Sequence, residues 1–185
     1  MTPSSPSRPL RNIIDVLIML AALVLVLLGT RFFGLGTETG GAHIIDGDSL
    51  RLDKDDIRLF GIDAPEYHQE CEDESRRPWP CGKQAAEVLS ALSRGQAITC
   101  VTMDSDRYGR NVATCRTPSA ELNREMVRLG WAVAYRQHSL AYAGEENDAR
   151  SSKRGIWRGR FEEPQHWRQR QRSMRGALGG DMGDE

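Results

Sequence analysis

The window from Ile45 to Glu66 constrains the fold most. It reads I-D-G-D-S and then, nine residues on, R-L-F-G-I-D-A-P-E. Ser49–Leu52 and Ile57–Phe60 alternate apolar and polar residues about a polar D-K-D-D turn, which is the pattern of a β-hairpin. An exposed turn accounts for Asp53, Asp55 and Asp56. Arg58 lies inside the second strand, where an unpaired charge is costly, so it needs a carboxylate partner. Asp46 and Asp48 flank Gly47 at the entry to the hairpin, and Asp63 closes the strand that carries Arg58. A chain with this window must fold as a sheet that brings strand ends together.

Further strands are expected at Ala97–Met103 and Asn111–Arg116, joined by D-R-Y-G-R at 106–110, and a short one at Trp131–Tyr135. Gly82–Ser93 reads as a helix with an apolar stripe of Ala85, Val88, Leu89 and Leu92, stopped by Gly95. Glu121–Leu129 and Tyr142–Arg154 read as two more. Short strands followed by packed helices indicate an α+β domain, a small barrel with helices. Beyond Trp157 apolar periodicity fades. Residues 158–185 therefore read as an arginine-rich, partly disordered and solvated tail, with phosphate or anionic lipid as its alternative ligands, and Ala177–Glu185 as disordered.

Before the domain comes a Pro/Ser/Arg leader (1–11), a segment at 12–33 that is nearly all apolar over residues 13–30, and a Gly/Thr linker (34–42). At about 1.5 Å per residue the apolar run spans most of a bilayer core of roughly 30 Å. It reads as an uncleaved transmembrane anchor, with a cleaved signal sequence as the alternative. Arg8 and Arg11 precede it, which places the leader in the cytoplasm and the domain outside. Four cysteines in such a domain suggest disulfides. Cys100 and Cys115 flank the 106–110 turn almost symmetrically, and Cys71 and Cys81 bracket one polar loop. These pairs are the expected bridges, and the absence of any C-x-x-C makes zinc a poor reading.

The chain has 25 Lys+Arg against 26 Asp+Glu, a balance that argues against a tight coat protein on nucleic acid but not against an enzyme that releases product. Carboxylates at neighbouring strand ends can converge on a hard cation. With two arginines beside them, Arg58 and Arg110, they suit a phosphodiester.

The segments I-D-G-D-S (45–49), R-x-x-x-x-D-x-P-E (58–66), D-R-Y-G-R (106–110), L-N-R-E-M-V-R-L-G-W-A (122–132) and K-R-G-I-W (153–157) together resemble the staphylococcal nuclease (thermonuclease) family, over about residues 43–157. The resemblance implies a five-stranded oligonucleotide-binding barrel with about three helices. It implies Ca2+ on Asp48, Asp63 and the Ala64 backbone carbonyl, with Asp46 in the outer shell. Arg58 and Arg110 match the catalytic arginines and Glu66 the general base. Tyr108, with Arg107 beside it, matches the substrate-binding position. The implied activity is sequence-tolerant cleavage of DNA and/or RNA to 3′-phosphate ends, by a monomer. Ser49 and Ala64 stand where threonine is commoner. The Cys71–Cys81 loop is acidic where the family prototype is lysine-rich, and Tyr135 takes no nucleotide-binding role on this match. A membrane-tethered, non-catalytic nucleic-acid-binding module on the same barrel is the alternative, and a domain whose acids bind calcium only for stability is a third reading.

Overall fold

The computed structural model describes residues 15–25 and 37–179. Residues 1–36 and 37–185 are separate compact units. In the first, residues 15–25 form helix α1, with apolar side chains such as Leu17, Met19 and Leu25 exposed. No helix among the described residues is long and apolar enough to cross a membrane. The leader and the rest of the 13–30 run lie outside the described residues.

The second unit is α+β, as expected. One sheet has the order β1-β8-β9-β4-β3-β2. Here β1 is Thr37–Gly40, β2 Ala42–Ile44, β3 Ser49–Leu52, β4 Asp55–Leu59, β8 Ile98–Ser105 and β9 Asn111–Arg116. Only Gly41 separates β1 from β2. The first pairs with β8 (Gly40 opposite Ile98) and the second with β3 (Ala42 opposite Leu52). The two edges of the sheet are thus halves of one bent strand, which closes the sheet on itself as five strands. This corrects the linker at 34–42: its last residues are already sheet. Their T-E-T-G-G-A sequence lacks the alternation that marks a strand, because the pairing comes from β8 and β3 rather than from a hairpin of its own.

Short strands β5 (Ile62–Asp63) and β10 (Val133–Ala134) pair with each other, and β6 (Cys71–Glu72) pairs with β7 (Pro78–Trp79). Helices α2 (Cys81–Ser93), α3 (Leu122–Arg128) and α4 (Ala143–Ser151) match the three expected. The core of Leu50, Leu52, Ile57, Leu59, Leu89, Ile98, Leu122 and Met126 fills the barrel against α2 and α3. Asn123 is fully buried and ties α3 to the sheet: its side chain accepts from Cys115 N (2.9 Å) and donates to the Phe60 and Ala113 carbonyls (2.9 and 3.1 Å). Both expected disulfides are present, Cys71–Cys81 and Cys100–Cys115. The second staples β8 to β9, whose connecting turn holds Arg110.

The tail departs from expectation. After a short 3-10 helix (Gly155–Arg158), Pro164–Gly179 forms a further helix, α5. Residues 180–185 lie outside the described residues. Proline suits a first helical position, and the Gln/Arg-rich sequence that follows has good helix propensity. Among its described side chains helix α5 buries Pro164, half-buries Trp167 and is otherwise held by polar bonds. Arg170 pairs with Glu162 (2.7 Å), the Gln69 side chain donates to the Glu162 carbonyl (2.7 Å), and Arg168 reaches Asp63 and Glu66. A search for apolar periodicity is blind to a helix docked in this way.

Candidate active site

Asp48 and Asp63 are buried side by side, and Arg58 joins them. Its Nη1 donates to Asp48 Oδ1 (3.1 Å) and its Nη2 to Asp63 Oδ1 (2.7 Å). The register explains the approach, since Arg58 sits opposite Ser49 across the β3–β4 ladder. Asp48 is only 2% exposed. It also accepts from Ser49 Oγ (2.9 Å) and from Ala64 N (2.9 Å), which ties the D-G-D turn to the end of β5. Ala64 meets the acids through this amide. Asp46 Oδ1 accepts from Asp48 N (3.0 Å). Burial, and after it the neighbouring charge of Asp48, pushes the Asp46 carboxyl up to about 7. Burial and Asp48 likewise hold Asp63 above the usual carboxylate range, against the pull of its arginines.

Glu66 lies at the cleft with its backbone fixed by Gln69, a fully buried side chain. Gln69 N donates to the Glu66 carbonyl (2.7 Å), and Gln69 Oε1 accepts from Glu66 N (3.2 Å). Arg110 comes from the β8–β9 turn. Asp106 orders that turn, accepting from Tyr108 N (2.9 Å), Arg110 N (3.0 Å) and Arg110 Nε (2.7 Å). Tyr108 is 65% exposed, with the Arg107 guanidinium 4.9 Å and that of Arg110 5.8 Å from its ring centre. An exposed ring of this kind can stack on a base.

These groups share one cleft of about 710 Å³, lined by Asp46, Arg58, Glu66, Arg107, Tyr108 and Arg110. Asp48 and Asp63 are buried and meet the cleft through Arg58, which lines it. The expected catalytic and substrate-binding residues therefore converge from two separate segments, 58–66 and 106–110. Tyr135, unassigned from sequence, also lines the cleft, tilted against His138 at 4.6 Å between ring centres.

Arg168 of α5 is the residue that sequence reasoning missed. Its Nη1 donates to Asp63 Oδ1 (2.9 Å) and Glu66 Oε1 (2.8 Å), and its Nη2 to Asp63 Oδ2 (3.0 Å). Burial opposes its charge, but the bonds to Asp63 and Glu66 outweigh this and raise its pKa. The available signal was Pro164 followed by good helix formers. Nothing in the sequence indicated where that helix would dock.

Among the described residues no group of three or more His, Cys, Asp or Glu is assembled to hold a metal ion. The donor chemistry nevertheless suits a hard cation. Asp46, Asp48, Asp63 and Glu66 offer only carboxylate oxygens, and after burial the charges of Asp48 and Glu66 add to the rise of the Asp46 pKa.

Residues 56–159 match the family described as staphylococcal nuclease homologue. The chain is 37% identical over 130 residues to the succinoglycan biosynthesis protein ExoI of Rhizobium meliloti (strain 1021), covering 69% of this chain and 66% of that one. It is 30% identical over 122 residues to an uncharacterized endonuclease of Escherichia coli O157:H7, covering 62% and 73%. It is 31% identical over 130 residues to the probable staphylococcal-like nuclease CAN1 of Oryza sativa subsp. japonica, covering 69% of this chain but 36% of that protein. The matched span takes in β4 through the 3-10 helix, with Arg58, Asp63, Glu66 and Arg110 all inside it, and so the chain belongs to the staphylococcal nuclease homologue family.

Proposed function

We propose that this chain is a calcium-dependent endonuclease that hydrolyses DNA and/or RNA to 3′-phosphate ends. It is a hydrolase of the nuclease class. The observation that carries the reading is the convergence of Arg58, Glu66 and Arg110 on one cleft, which two buried aspartates meet through Arg58.

Asp48, Asp63 and the Ala64 carbonyl would hold the cation, with Asp46 behind them. When bound there, it supplies Lewis-acid polarisation of a phosphate oxygen. Glu66, at the cleft surface, takes the proton from the attacking water, a role worth about 10²–10⁴-fold. Arg58 and Arg110 present planar donor forks to the phosphoryl oxygens as charge develops on them. Lysine lacks that fork. Tyr108 and Arg107 offer a stacking face and a cation to the neighbouring nucleotide. The acidic Cys71–Cys81 loop lies in the disulfide-bridged β6–β7 unit.

The N-terminal run is proposed as a membrane anchor, or a signal sequence, that places a monomeric domain outside the cytoplasm. The two disulfides support an oxidising location. The test is incubation of the protein with plasmid DNA and with RNA, in calcium or in chelator. Cleavage in calcium alone supports the reading. Binding without cleavage replaces it with the non-catalytic module.

A further inference from the structure

The face of α5 turned to the cleft carries Gln165, Arg168, Gln169 and Arg172. Their spacing of i, i+3, i+4 and i+7 puts them on one helical stripe. Across the cleft stand Arg107 and Tyr108. Nothing apolar is offered by this stripe, so it is not built to pack on protein core. Arg168 is spoken for by Asp63 and Glu66, whereas Arg172 is exposed and has no carboxylate partner among the described residues. Four residues along a helix advance about 6 Å, on the scale that separates successive phosphates of an extended single strand. On the opposite side of α5, Arg170 is engaged by Glu162 and lies outside the cleft.

We propose that α5 is a substrate-binding wall, in which Arg168 and Arg172 take phosphates of a polynucleotide flanking the one that is cut. This rests on the nuclease reading and extends it beyond the matched span, which ends at 159. In the substrate-free state Arg168 rests on Asp63 and Glu66. A phosphate entering the cleft offers the same guanidinium two non-bridging oxygens in bidentate geometry, and Arg168 changes partner.

The experiment measures binding of a fluorescein-labelled single-stranded oligodeoxynucleotide in chelator, across a salt series, with the full chain. Each phosphate contact on a single strand contributes about 0.7 to the slope of log affinity against log salt. Arg172→Ala and Arg168→Ala should each flatten the slope by about that amount, and the double variant by about 1.4. Arg172→Lys should restore it. Arg94→Ala, which removes the same charge at an exposed position away from the cleft, should keep the parent slope. Arg172 is exposed, so its variant does not disturb packing. A parent slope retained in either single cleft variant overturns the proposal. If the parent cleaves DNA in calcium while those variants keep the parent slope, the α5 wall fails and the nuclease reading stands. A parent that neither binds nor cleaves refutes both.

Discussion

Gly82→Ala should damage catalysis from beneath the site. Gly82 is the second residue of α2, directly under the Glu66 turn. A Cβ built there falls 1.7 Å from the Glu66 carbonyl oxygen, 2.6 Å from its carbon and 3.1 Å from the Tyr67 carbonyl carbon. Weak carbon–oxygen contacts in proteins sit near 3.3 Å, so turn and helix must part by about 1.6 Å. Neither side gives freely. The helix end is held by the Cys71–Cys81 bridge and by buried Ala85 and Leu89. Gln69 pins the turn through Glu66 on two bonds. Overpacking of this kind costs about 1–3 kcal/mol. A displacement of about 1 Å in a catalytic group lowers turnover on the order of 10²-fold. Plasmid-cleavage turnover and thermal melting should be measured together. Gly144→Ala, in open space on α4, is the control and should leave turnover unchanged. Turnover of Gly82→Ala within about threefold of the parent, with unchanged melting, would refute the idea that this contact sets the position of Glu66.

Other substitutions bear on the rest of the site. Glu66→Gln and Arg110→Ala should each lower turnover by at least about 10²-fold with melting preserved, since both act at the cleft surface. Near-parent turnover in either would remove that residue from the chemistry. Replacing Cys100 and Cys115 by Ala opens a 15-residue loop and should cost about 3 kcal/mol in urea unfolding. A loss under about 1 kcal/mol would mean the unfolded chain gains little freedom. Asp46 titrates near 7 folded against 3.8 in its ordinary state, so the folded chain binds the extra proton between those values. Its stabilising contribution is complete below about 4 and lost as pH rises through about 7. Asp46→Asn should therefore stabilise the chelator-treated protein more at pH 8 than at pH 5, and equal effects at both would show that Asp46 is not perturbed.

The parts of the site that were legible in the sequence share a cause. Asp48, Arg58 and Asp63 lie on one hairpin and its continuation, where period-2 alternation fixes which residues meet. The Asp106–Arg110 turn is local as well, closed by bonds spanning two to four residues. The cysteine pairs follow from the turn that each brackets. What escaped needed topology. Thr37–Gly40 is a strand only because β8 offers it an edge. Gln69 meets Glu162 across 93 residues, and Arg168 meets Asp63 across 105. Pattern within a window carries no information about such contacts. A helix docked through charge also leaves no apolar stripe to find. Tyr135 takes no nucleotide-binding role on the family match. It nonetheless lines the cleft, since β10 is registered on β5 through Val133 opposite Asp63.

If the proposed calcium site is real, Arg168 should also couple the cation to the substrate. Both oxygens of Asp63 accept from its fork, and one of them from Arg58 as well. A cation that needs Asp63 must therefore compete with a guanidinium already seated there. A polynucleotide phosphate that draws Arg168 away frees those oxygens, so substrate should tighten calcium binding. By linkage, calcium must tighten substrate binding by the same factor. Couplings of this kind run to about 5–150-fold. The reference for measurement is the Arg110→Ala chain, which should cleave at least about 10²-fold more slowly and leaves the Arg168 contacts in place. Calorimetric titration with calcium, with and without a single-stranded oligodeoxynucleotide, should show tighter binding in its presence. Adding Arg168→Gln should tighten calcium binding in the absence of the oligonucleotide and abolish most of the difference between the two titrations. Weaker calcium binding in the Arg168→Gln chain would show that Arg168 organises Asp63 for the cation instead of competing with it, and the coupling would have to be abandoned.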